Sequence, residues 1–197
     1  IYNKIAFSKY FRDRQSEFKK LFKEVHNLKL SVNHKVISRN IIEIDELKSD
    51  QNLSIRRLFN NNKLLKNFLK QIKKISSINK KVSSRKIINE IDNYVRHSSR
   101  HQKINNKIGK LKKYIEVYDQ NKICHGDLHL ENIFIKKNRF LFLDWDYFIL
   151  SSSGYDLAMF AYLENLNEKQ INKLSFYSQV SMEEINHYLP ICQLLDY

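Results

Sequence analysis

Between residues 123 and 158 the chain reads ICHGDLHLENIFIKKNRFLFLDWDYFILSSSGYDLA, and its polar residues stand at the ends of short apolar runs. His125, Gly126, Asp127 and His129 follow the apolar pair Ile123 and Cys124, Asn132 comes five residues after Asp127, and the run 140–143 leads straight into Asp144. A carboxylate or amide at the mouth of a strand is where a scaffold can aim a polar group at a ligand. Phosphoryl transfer needs such a set. One carboxylate orients the attacking hydroxyl and accepts its proton, while an amide and a second carboxylate hold magnesium against the phosphates. Hard, octahedral magnesium prefers these oxygens to the softer His and Cys nearby. Asp127, Asn132 and Asp144 match those roles in order and spacing. The plainer alternative, that Asp and Asn here only cap turns, accounts for Asp127 and Asn132 but not for Asp144 and Asp156 standing in register with them. His125 and His129 are expected to brace the loop. His125 and Cys124 make no zinc site, because no second ligand pair follows at suitable spacing.

HGDLHLEN, an apolar strand, DWDY and then DLA, in that order, resemble the aminoglycoside phosphotransferase and choline kinase family. Protein kinases space their catalytic Asp and Asn in the same way. Here His125-Gly126-Asp127 replaces His-Arg-Asp, and Asp144-Trp145-Asp146 replaces Asp-Phe-Gly. The resemblance implies a protein-kinase-like fold and transfer of the ATP γ-phosphate to a hydroxyl of a small molecule, with ATP and Mg2+ as cofactors. It implies Asp127 as catalytic base, Asn132, Asp144 and Asp146 around the metal, and His125 and Asp156 as supports of the catalytic loop. Asp146 stands where choline-kinase-like members usually have Glu.

The arrangement looks closest to the choline, ethanolamine and thiamine kinase branch, whose acceptors are cationic; an aminoglycoside or a sugar is the alternative acceptor. Aromatic faces can hold a cation, and Trp145, Tyr147, Tyr155 and Tyr162 are at hand, each with core packing as its rival role. One departure is Glu164. It lies eight residues beyond Asp156, where that branch commonly has Glu at seven, and one helical step rotates a side chain away from the expected direction.

The elements that must position these residues are legible on either side. Residues 5–11 alternate as a short strand does, and 15–30 carry a helical stripe of Phe18, Leu21, Phe22, Val25 and Leu28. Two brief strands follow at 35–38 and 41–44. Strand, helix, strand, strand is the order of the later half of a kinase-like N-terminal lobe. That likeness makes Lys9 the phosphate-contacting lysine and Glu17 its partner, with Glu24 as the alternative. The glycines are Gly109, Gly126 and Gly154, so no Gly-rich phosphate loop is present. Together with an initial Ile1, this leads to the expectation that the lobe begins upstream; an inactive pseudokinase is the alternative.

Residues 46–62 are polar and read as irregular. The stretch 63–76 has a clear amphipathic stripe, and 85–97 (capped by Ser84) and 105–118 repeat it. Helices are expected at 155–166, at 168–179 and at 182–196, the last opened by a Ser181/Glu184 capping box and kinked or divided at Pro190. The expected fold is α+β and protein-kinase-like. A partial nucleotide-binding lobe spans 1–48, and a mostly helical C-terminal lobe with a small catalytic β-hairpin and a helical substrate-binding part spans 49–197.

A chain of 197 residues that is 42% hydrophobic can bury a real core. It has no apolar run long enough for a membrane span and no leader pattern. Two distant cysteines fit a reducing compartment, hence a cytoplasmic protein. The net charge of +14 invites a nucleic-acid reading. Against it, the lysines are spread among Asn and Ile rather than interleaved with aromatics as a base-stacking platform would be. The expected partner is a small hydroxyl substrate; oligomeric state stays open.

Overall fold

The computed structural model describes residues 2–5, 15–31, 34–38, 41–44, 53–83, 86–89, 91, 115 and 117–195. Its first part is a three-stranded antiparallel sheet in the order β1-β3-β2, made by β1 (Tyr2–Ile5), β2 (His34–Ser38) and β3 (Ile41–Ile44). Tyr2 and His34 both pair with Ile44, and a bulge lies between Val36 and Ser38. Helix α1 (Gln15–Asn27) intervenes in sequence between β1 and β2. This is the expected order of strand, helix, strand, strand. The strand read at 5–11 lies, after Ile5, outside the described residues, as does Lys9.

Helix α1 buries Phe18, Leu21 and Val25, the stripe visible in its sequence. Two of its ties to the later chain bear on the site. The Phe18 ring meets Phe148 edge-on at 5.2 Å, and the carbonyl of Leu30, just past the helix, accepts from the backbone N–H of Phe142 at 2.7 Å.

One correction falls in the stretch read as irregular. Ile55–Asn60 is a short helix, α2, capped by the Ser54 hydroxyl. Six residues cannot sustain a helix by local bonding alone. The burial of Leu58 and Phe59 and a hydrogen bond from Lys173 Nζ to the Phe59 carbonyl at 3.0 Å hold it from outside. Helix α3 (Asn62–Ile75) follows, capped by Asn61, and buries Leu65, Phe68, Leu69, Ile72 and Ile75. Phe68 sits among Phe140, Phe142 and Phe160, with ring centroids 5.3, 6.4 and 5.1 Å away. The same helix therefore packs on the hairpin and on the central helix behind it. Most of the helices read at 85–97 and 105–118 lies outside the described residues.

The motif region supplies two antiparallel pairs. Strand β4 (Lys122–Cys124) pairs with β7 (Ile149–Ser151), and β5 (Ile133–Lys136) with β6 (Arg139–Phe142), Ile133 opposite Phe142 and Lys136 opposite Arg139. The two-residue connection Lys137-Asn138 has φ of 49° and 60°, as a type I′ hairpin turn requires. Asn67 Nδ2 of α3 donates to the Asn138 carbonyl at 2.9 Å and fastens that turn to the helix.

Behind both pairs runs α4 (Ser153–Leu163), buried from Gly154 through Ala161. A helix apolar on nearly every side belongs in the middle of a core. Helices α5 (Glu168–Ser178) and α6 (Met182–Leu195) complete the chain. Helix α6 runs unbroken past Pro190, so the proline does not divide it. Pro190 and Asn186, whose carbonyl loses its partner, are both exposed, and water can take that carbonyl.

The capping box at the start of α6 forms by half. The Ser181 hydroxyl accepts from Glu184 N at 3.0 Å. The Glu184 carboxylate reaches instead to the start of α4, accepting from Ser152 Oγ at 2.7 Å and Gly154 N at 2.8 Å. Gly154 leaves the room: a Cβ there would lie 2.7 Å from Glu184 Cγ. Among the described residues no helix is long and apolar enough to cross a membrane.

Candidate active site

The loop from His125 to Asn132 is shaped by a carboxylate from below. Asp156, in the first turn of α4, accepts from His125 N (2.8 Å, Oδ2) and Gly126 N (3.0 Å, Oδ1). Burial lifts its carboxyl from the ordinary 3.8 to about 6, against the pull of those two N–H groups, which favour the charged form. Gly126 has φ of 87°, and a Cβ there would stand 2.1 Å from the Tyr147 carbonyl oxygen. No other residue fits both the conformation and the space.

His125 is buried, and burial lowers its pKa from 6.5 to about 4, so it is neutral at ordinary pH. Its Nε2 lies 2.8 Å from the Leu143 carbonyl, which can only accept, so the proton is on Nε2. Nδ1 is then the acceptor for Asp127 N at 3.4 Å. The Trp145 ring lies against the imidazole at a centroid distance of 4.6 Å, and Trp145 Nε1 donates to the Phe142 carbonyl at 2.9 Å.

Asn132 closes the arrangement. Its Nδ2 donates to both Asp127 O and Asp127 Oδ2, each at 3.0 Å. Both partners are acceptors, so the amide nitrogen faces Asp127 and the amide oxygen is turned away. Leu143 N donates to the Asn132 carbonyl at 2.9 Å, one step past the β5–β6 ladder. The bonds thus form a ring: Asp127 to Asn132, Asn132 to Leu143, Leu143 to His125 and His125 back to Asp127. Asp144 is the next residue, held in the left-handed region at φ 56° and ψ 64°. That conformation is sparsely populated for a side-chain-bearing residue and collects at functional sites. The chain then enters a 3-10 turn, Trp145–Tyr147.

The structure therefore brings Asp127, Asn132 and the backbone entering Asp144 together, with His125 and Asp156 beneath them. His129 Nε2 is 3.6 Å from Asp127 Oδ2. Asp144 and Asp146 are both half-buried. Among the described residues no three His, Cys, Asp or Glu side chains converge. A cation here would draw on the Asn132 amide oxygen, the Asp144 carboxylate and oxygens brought by nucleotide and water, which is how magnesium is usually held. The donor set fits.

The other candidates scatter. Glu17 lies half-buried in the first turn of α1. Of the four aromatics, Trp145 and Tyr155 are core residues, 3% exposed each; Tyr155 packs edge-on against Tyr188. Neither offers an open face. Tyr162 is half-buried, while Tyr147 is 50% exposed.

Glu164 is the residue whose place the sequence did not give. It caps the C-terminus of α4, and its Oε1 accepts from Leu130 N at 2.6 Å. A carboxylate at the end of a helix that carries Asp156 in its first turn is a signal only once the loop is known to lie along that helix.

Residues 85–177 match the model of the phosphotransferase enzyme family. Over that stretch, a little under half of its length, the chain is similar to that family. A LicA homolog of Metamycoplasma hominis is 27% identical over 136 residues, 69% of this chain and 44% of that protein. The chain thus spans less than half the length of this curated relative. Among solved structures, choline kinase LicA from Streptococcus pneumoniae superposes with a TM-score of 0.77 at 19% identity, covering 95% of this chain and 72% of that one. The streptomycin–ATP–APH(2'')-IIa ternary complex gives 0.66 at 15% identity, with coverages of 94% and 74%. At those identities the likeness is one of fold: α+β and kinase-like.

Proposed function

We propose that this chain is the catalytic part of an ATP- and Mg2+-dependent small-molecule kinase. On this reading it transfers the γ-phosphate to a hydroxyl of a small cationic metabolite of the choline, ethanolamine or thiamine kind. The observation that carries the reading is the hydrogen-bonded ring joining Asp127, Asn132, Leu143 and His125, which holds Asp127 and Asn132 together beside the backbone that enters Asp144. Asp127 orients the acceptor hydroxyl and takes its proton as the oxygen–phosphorus bond forms and the bond to the leaving ADP oxygen breaks. Asn132 and Asp144, with Asp146 beside them, would hold magnesium, which neutralises phosphate charge when bound. Neutral His125 and the buried Asp156 hold the loop still.

Residues 1–48 would form part of the nucleotide-binding lobe and 49–197 the catalytic lobe, with Lys9 and Glu17 on the ATP side. Of Trp145, Tyr147, Tyr155 and Tyr162, Tyr147 is the best exposed to meet a cationic acceptor. Cys124 and Cys192 are buried thiols that form no disulfide, which supports a cytoplasmic setting. The sequence similarity to a LicA homolog, taken with the fold shared with choline kinase LicA, supports choline over an aminoglycoside.

The test is direct. The protein with Mg2+ and ATP is offered choline, ethanolamine, thiamine and an aminoglycoside, and phosphorylated product is sought by mass spectrometry. One acceptor should be converted, and Asp127→Asn and Asp144→Ala should each cut turnover at least about 100-fold with the fold intact. Full activity of either variant refutes the assignment. No product from any acceptor, with nucleotide still bound, favours a pseudokinase.

A further inference from the structure

We propose that Glu164 is a positioning residue of the transfer site. Its carboxylate caps the turn that carries Asn132 and so sets Asn132 against Asp127. This rests on the reading of Asn132 as a metal ligand.

The turn Leu130–Asn132 is a 3-10 helix of three residues, closed by backbone bonds from Asn132 N to His129 O at 3.1 Å and from Ile133 N to Leu130 O. So short a turn has little stability of its own, and its first N–H groups have no partner inside it. The residue in the cap position, His129, makes no side-chain capping bond. The missing cap comes from 34 residues away: Glu164 Oε1 accepts from Leu130 N at 2.6 Å, a short, charge-assisted bond.

The base of that cap is rigid. Glu164 ends α4, its own N–H bonded to the Phe160 carbonyl, on a helix buried from Gly154 through Ala161. Asp156 grips the start of the loop from the same helix. Eight residues of helix separate the two carboxylates, about 12 Å at roughly 1.5 Å per residue. One helix thus holds the loop at two points. Asp127 lies between the anchors, and Asn132 lies just past the second. Losing Asp156 frees the whole loop, whereas losing Glu164 frees chiefly the turn with Asn132. Glu164 should therefore act on metal–nucleotide binding and leave acceptor recognition alone.

The experiment compares the parent protein with Glu164→Ala, Glu164→Gln and Leu130→Pro. Gln keeps an acceptor oxygen at the same reach. Pro removes the Leu130 N–H at the first position of the turn, where proline is tolerated, and it follows His129, whose φ of −146° and ψ of 169° are the extended backbone that precedes proline. Mg·ATP affinity is measured by calorimetry on protein shown to be folded by circular dichroism, and KM for the acceptor is measured alongside.

The expected result is about a tenfold or larger loss of Mg·ATP affinity in Glu164→Ala, a similar loss in Leu130→Pro, no further loss in the double variant, recovery to within about threefold in Glu164→Gln, and an unchanged acceptor KM. Parental Mg·ATP affinity in folded Glu164→Ala overturns the proposal, as do additive losses in the double variant. A raised acceptor KM with intact nucleotide binding overturns it too, in favour of direct substrate contact. If Glu164→Ala does not fold, Leu130→Pro carries the same comparison. If the parent itself binds no Mg·ATP, the reading of the site fails, and this proposal with it.

Discussion

Replacing Asp156 with Asn should change the pH dependence of stability by an amount the structure sets. The carboxylate is buried, and its pKa stands at about 6 in the folded chain against an ordinary 3.8. Between those values the folded protein keeps a proton that the unfolded chain has released. The contribution to stability is therefore fully present below about pH 4 and is lost as pH rises through about 6. At roughly 1.4 kcal/mol for each tenfold, the loss is about 3 kcal/mol. His125 has the opposite sign: its pKa falls from 6.5 to about 4 on folding, so its contribution is lost as pH falls below 6.5. The two slopes oppose each other in the parent, and only the difference between variant and parent isolates Asp156.

Asparagine matches the size and keeps one acceptor, but sets its NH2 against the second backbone N–H. That leaves one donor unsatisfied at a cost of about 1–3 kcal/mol at every pH. Urea unfolding of both proteins from pH 4 to pH 7 is the assay. Asp156→Asn should be the less stable protein at pH 4, and should gain about 3 kcal/mol on the parent by pH 7. Parallel curves would show that Asp156 is ionised throughout, and the argument from its burial would fail.

Two further predictions concern the frame. Gly126→Ala must be strained, since φ is 87° and the new Cβ would stand 2.1 Å from the Tyr147 oxygen; a loss above about 1 kcal/mol by denaturant unfolding, together with collapse of turnover, is expected. Phe68→Ala removes the ring that joins α3 to Phe140, Phe142 and Phe160. It should cost about 3–5 kcal/mol in thermal or urea unfolding.

Much of this was legible in the sequence, and for identifiable reasons. The α3 stripe and the Asp127, Asn132 and Asp144 positions depend on local period and on strand ends, which a sequence displays. What stayed hidden depends on partners far along the chain. The half-formed capping box shows this: Ser181 behaves as its spacing predicts, yet Glu184 leaves its own helix for the start of α4. Helix α2 is held by Lys173, more than a hundred residues away. Trp145 and Tyr155 look like ligand-facing rings beside a motif, and only their packing against His125 and Tyr188 shows them to be core. Glu164 was noticed for the direction it could not take; the direction it does take needed the loop beside it.

The tight hairpin between Asn132 and Asp144 also constrains how descendants of this chain can vary. Asn132 stands just before β5 and Asp144 two residues past β6, and paired strands place them as the two jaws of a caliper. Lengthening the chain at Lys137-Asn138 changes only the handle. A residue gained or lost within either strand would shift one jaw and turn alternate side chains to the opposite face. Natural length variation should therefore gather at the turn, and a homologue with an insertion inside a strand should have lost the site.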